Sequence, residues 1–193
     1  MNHKMHRDPH RPVWRFRAPT LAGLLVVGAI TTRLLMGTSD AAADPRQPVP
    51  VEGTGIHHFT SAVVHSQEET PTGMIQRSTD IVSLDGDLSG RILYHPISVF
   101  DFANNTLVNT GSQVFSGTVL GSDPVILHDD RFRFEVDLAT GATTGQVHLS
   151  RSNDAPHPGS WYDCDLEVTG TGQTADGDAT FAYIGTCLRR GQP

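Results

Sequence analysis

The sequence has few basic residues, only two cysteines and no helical repeat, and each shortage narrows what the chain can be. From Asp44 onward there is no lysine, and eight arginines face nineteen aspartates and glutamates. That leaves about −11 on this part, against −7 for the whole 193-residue chain. Such a surface repels phosphate. Only Arg131 with Arg133 and Arg189 with Arg190 form close basic groups, so the footprint that a nucleic-acid partner requires is missing.

Chemical motifs are absent too. There is no HxH or HExxH pair, no Ser, His, Asp arrangement, no phosphate loop and no nicotinamide fingerprint. No cofactor is therefore expected. Acidic clusters occur at residues 128–130, 85–87, 163–165 and 176–178. The two DGD pieces fall in turns, where Asp and Gly serve the backbone, and the terminal Glu of a twelve-residue calcium loop is lacking. Metal ligands are accordingly not assigned. The histidines at 57, 58, 65, 95, 128, 148 and 157 read as a group as surface or barrel-end residues, with His57 and His65 on one strand face and His58 on the other.

Long apolar runs are also scarce. The one run, LAGLLVVGAI at residues 21–30, follows five basic side chains and precedes the triplet AAA at 41–43. A basic segment, an apolar core and a small-residue cleavage site are the three parts of a secretory signal. The run ends before Arg33 and falls short of the roughly 20 residues that cross a bilayer as a helix. Residues 1–43 are read as a signal removed on export, so the chain is expected to be secreted or on the cell-envelope exterior. The alternative is an uncleaved anchor across residues 20–36, which would be the chain's only membrane contact. Residues 44–52, with three prolines, read as a flexible leader to a domain at 53–188.

What remains alternates with period two. In RFRFEVDL, Phe132, Phe134, Val136 and Leu138 share one face, and Arg131, Arg133, Glu135 and Asp137 the other. The ATGA turn then reverses the chain into GQVHLS. Further strands are read at 53–65, 74–84, 87–99, 106–120, 161–171 and 178–187, separated by Gly, Asn, Asp and Pro turns. Eight strands without intervening helices predict an all-β domain: a closed antiparallel eight-stranded barrel or else a sandwich. Closure is favoured because it removes exposed edges.

The two cysteines fit that plan. Folding residues 160–187 about the TADGD turn sets Cys164 opposite Cys187, both on the apolar faces of their strands. An exported compartment permits their oxidation; the competing reading is two buried thiols.

The stretches GTGIHHFT, DGDLSGRILYH, RFRFEVDLATGATTGQVHL and VTGTGQTADGDATFAYIGTC, spread over residues 52–187, resemble small bacterial barrels related to the allene oxide cyclase type. The resemblance implies an antiparallel barrel of calycin-like shape whose lumen, in better-known relatives, holds a hydrophobic small molecule that is cyclised. No catalytic residue of a cyclase matches a position here, so activity does not carry over.

An eight-stranded barrel is wide enough for packed side chains or one small ligand. Tyr94, His95, Phe134, Tyr162 and Tyr183 are the lumen candidates; Pro96 after His95 predicts a bend or bulge in that strand. Two functions follow. One is a noncatalytic barrel that binds a small apolar molecule or a partner. The other is a cyclase or isomerase that confines a flexible apolar substrate, with Tyr94 or His95 as proton donor or hydrogen-bond anchor. A lumen cavity of a few hundred cubic ångströms with a polar group inside would favour ligand handling.

Overall fold

A computed structural model describes residues 47–151 and 161–191. The expected signal or anchor, residues 1–43, and the NDAPHPGS turn lie outside the described residues. Alternating apolar positions give ten strand segments: β1 (Val49–His57), β2 (Val63–Thr70), β3 (Gly73–Gly86), β4 (Leu88–Asp101), β5 (Thr106–Val119), β6 (Val125–Asp129), β7 (Arg133–Asp137), β8 (Thr143–Leu149), β9 (Trp161–Gln173) and β10 (Ala179–Arg190). They form a closed antiparallel barrel of eight staves. Going round, the staves are β1, β10, β9, β8, β7 with β6, β5, β4 and β3, and the seam closes where β1 pairs with β3 from Gly53↔Gly86 to His57↔Val82.

Two staves are broken, which is why ten segments make eight. β6 pairs with residues 113–117 of β5, and β7 with residues 106–110 of the same strand. Residues 130–132 interrupt the stave between them. Likewise β1 ends at His57, a single 3-10 turn spans Phe59–Ser61, and β2 continues along β3 from Val63↔Thr79 to Thr70↔Gly73. The continuous strand expected over residues 53–65 is therefore two pieces, and β6 is a segment that the sequence reading left unassigned. β1 also starts at Val49, inside the expected leader. Its first residues pair with the end of β10, Val49↔Cys187, and bury the side chain of Val51.

Pro96 has a narrower effect than a bulge. The β3–β4 ladder lapses between Arg77↔Ile97 and Asp80↔Tyr94 and resumes in the same register. On the other side the pairing runs through Pro96↔Gly111. A missing N–H costs ladder bonds on one edge without shifting the strand.

One end of the barrel is a plug. Leu88, Phe115, Val119, Leu127, Leu149, Cys164 and Cys187 are fully buried there and belong to one apolar cluster. Cys164 and Cys187 stand directly opposite in the β9–β10 register and form a disulfide, as the fold-back about TADGD predicts.

Tyr183 holds the plug to the β3–β4 turn. Its hydroxyl accepts from the Leu88 N–H at 2.8 Å and donates to the Leu88 carbonyl at 3.1 Å. Gly53 makes this possible, because a Cβ there would collide with the Asp85 carbonyl and the Tyr183 hydroxyl. Tyr183→Phe keeps the ring but orphans a buried backbone N–H. It is expected to lower stability by about 1 to 3 kcal/mol, measured by urea denaturation against the parent chain.

Candidate functional site

The other end of the barrel is not filled. A cavity of about 900 Å³ occupies that half of the lumen. It opens among Phe59, Leu138, the β7–β8 turn and the strand ends that flank the β9–β10 turn, with the Phe59 and Leu138 side chains exposed at the rim.

The strand registers stack its wall in rows. On the plug side is an apolar row in which Val82 and Ile92, which line the cavity, align with Phe115 and Leu127, which do not. Next comes a polar belt across four staves, Asp80↔Tyr94↔Gln113↔Asp129. Two rows toward the mouth, past Pro96↔Gly111, Asn109 lies opposite Ser98 and Phe134. The row nearest the mouth is apolar again, with Phe100↔Leu107↔Val136. A polar waist between two apolar zones is the arrangement that orients an amphipathic guest.

Within the belt the groups differ in how well they are satisfied. Asp129 is saturated: Oδ2 accepts from Gln113 Nε2 at 3.0 Å and from the His148 N–H at 2.9 Å, and Oδ1 accepts from the Arg131 N–H at 2.7 Å. Asp80, only 5 % exposed, accepts from His57 Nε2 at 2.8 Å through Oδ2. Its Oδ1 is buried and has no hydrogen-bond partner, and the same is true of Asn109 Oδ1. Both residues line the cavity.

Tyr94 sits between them. Burial, and after it the Asp80 carboxylate, push its hydroxyl well above the ordinary tyrosine value, and a hydrogen bond with the Asn109 side chain acts the other way. The phenol therefore stays protonated at neutral pH. Its ring is packed against His57, Phe132 and Phe134 at centroid distances of 5.2, 4.8 and 6.1 Å.

The five lumen candidates separate accordingly. Tyr94, Phe134 and Tyr183 line the cavity, Tyr183 from its floor. Tyr162 is buried in the plug cluster with the disulfide. His95 alternates with Tyr94 along β4 and so lies on the outer face, where its Nδ1 is 3.0 Å from Thr79 Oγ1. His57, expected with the other histidines at the surface or a barrel end, lines the cavity, and Asp80 was not singled out from the sequence. A signal for Asp80 was present: it shares a strand face with Val82 and Leu84, where a half-buried strand would carry an apolar residue.

A latch borders the mouth at the break between β1 and β2. The Asp178 carboxylate, in the turn before β10, accepts from the Thr60 N–H at 3.1 Å, the Thr60 hydroxyl at 2.6 Å and His58 Nδ1 at 3.0 Å. These bonds, the Thr60 hydroxyl first, hold the Asp178 carboxyl below the usual value. His58 Nε2 also meets the Ser83 hydroxyl at 2.9 Å.

A second depression lies on the outer surface over β1, β10, β9 and β8, among Glu52, Asp165, Glu167, Arg131 and His148. Neither Asp80 nor Asn109 lines it, whereas both line the lumen cavity, so the lumen is the candidate site. Among the described residues no three His, Cys, Asp or Glu side chains converge to hold a metal ion, and no helix is long and apolar enough to cross a membrane.

The fold and site together define a lumen-bearing antiparallel β-barrel. Compared with known protein families, with curated proteins and with solved structures, the chain matches none.

Proposed function

We propose that this chain is an exported barrel that holds one small, largely apolar molecule in its lumen. The observation that carries this reading is the cavity of about 900 Å³ behind an apolar rim, lined among others by Asp80 and Asn109, each of which has a buried side-chain oxygen without a partner. A buried polar atom without a partner costs about 1 to 3 kcal/mol, and a guest that bonds it recovers that cost. Export is supported by the disulfide, which fits an oxidising compartment, and by the signal-like run at residues 21–30. Kinship with the allene oxide cyclase type of barrel belongs to the same proposal, supported by the closed eight-stave architecture.

A second reading, a cyclase or isomerase, is favoured by one feature: the His57–Asp80 pair beside a protonated Tyr94. His57 oriented by a carboxylate is a base, and a neutral phenol is a proton donor, so the two could move a proton across a confined substrate. Its signature would be chemical conversion of the extracted molecule on incubation with the protein.

The binding experiment is extraction of native protein followed by mass spectrometry, with thermal-shift screening of apolar compounds. The Tyr94→Phe variant is expected to fold, with a stability loss of about 1 to 3 kcal/mol from the broken Asn109 contact, and to bind the identified compound about tenfold more weakly, the effect of one lost hydrogen bond. Extracts without a bound molecule, together with a screen without a shift, would overturn the reading.

A further inference from the structure

We infer that the lumen's guest is a cationic amine with an apolar body, its ammonium seated against Asp80 and Asn109 beside the rings of Tyr94 and Phe134. This rests on the lumen-binding reading and names its ligand class. The two unpartnered atoms, Asp80 Oδ1 and Asn109 Oδ1, are both hydrogen-bond acceptors. What is missing is therefore donors, and an ammonium brings three, whereas an alcohol brings one.

The sign of the charge follows from the belt. Asp80 and Asp129 are its ionisable acids, and Asp129 is already saturated. A carboxylate or phosphate entering here would meet the buried Asp80 with like charge, where repulsion is stronger than between groups in bulk water. Tyr94, Phe132 and Phe134 form a cluster with ring centroids 4.8 to 6.1 Å apart, and aromatic faces attract cations. The acidic surface outside also raises the local concentration of a cation at the mouth. An apolar tail then extends past Leu107, Val136 and Phe100 to the rim.

The test uses the full disulfide-bonded chain at pH 7 and three probes with one hydrocarbon body: decylamine, decan-1-ol and decanoate, titrated calorimetrically. Decylamine is expected to bind with one-to-one stoichiometry and about tenfold or more tighter than decanol, with decanoate weakest, since a charge-assisted bond and ring contact outweigh a neutral one. Asp80→Asn should bring decylamine to within about threefold of decanol. Amine held by the outer surface would not respond to the loss of one carboxylate among many. Asn109→Leu, outside the His57 pair, is the second variant should Asp80→Asn not fold, and it should weaken decylamine by about threefold or more. Decanol or decanoate binding as tightly as decylamine overturns the amine and leaves lumen binding standing, and an amine preference that survives both substitutions overturns the assigned seat. If none of the three probes binds, lumen binding itself fails.

Discussion

Phe115→Ala is expected to destabilise the barrel by about 3 to 5 kcal/mol, the cost of emptying a fully packed aromatic position. Phe115 has no exposed surface and stands on the plug side of the polar belt, opposite Ile92 and Leu127, without lining the cavity. Phe134→Ala supplies the contrast. That ring is half-buried and faces the cavity, so its truncation should cost less than half as much and should act chiefly on binding. Chemical denaturation of the two variants side by side measures the difference. Equal losses would mean that the plug and the cavity are not distinct regions.

The disulfide carries the second large effect. Replacing Cys164 and Cys187 together by alanine opens a loop whose ends are 23 positions apart in sequence. By the chain-entropy account that lowers stability by about 3 kcal/mol. Both sulfurs are fully buried in the plug, so some packing is lost as well. Thermal melts of the parent with and without reductant, compared with the double variant, test it. The variant should melt lower than the oxidised parent and be insensitive to reductant.

Much of this architecture is legible in the residues, because a half-buried strand writes its inward face in every second position. RFRFEVDL and the fold-back of residues 160–187 give two staves, their partners and the disulfide from alternation and turn chemistry alone. Alternation also limits what sequence can say. Tyr94 and His95 are neighbours, and on a regular strand they point to opposite sides; only the barrel's curvature decides which is inside. His57 was read with the other histidines as a surface or barrel-end residue, and Asp80 escaped notice, because a polar residue at an inward position interrupts the pattern by which inward positions are recognised. Their partnership joins strands 23 residues apart, a distance over which periodicity holds no information. The break at His58 has the same character. GIHHFTSAVVH reads as one strand until the Thr60 contacts with Asp178, far along the chain, are known.

That break leaves β2 with β3 on one side and, among the described residues, no strand on the other. Its free edge is a row of backbone donors and acceptors, the kind of template on which identical chains stack into aggregates. β2 is exposed along nearly its whole length and carries Glu68 and Glu69 side by side. Two copies meeting edge to edge would bring four carboxylates together on already acidic surfaces. Their repulsion acts over about 8 Å at physiological ionic strength. The same excess of acid that turns phosphate away thus keeps copies of this protein from adding strands to one another, and concentrated salt would weaken that protection first.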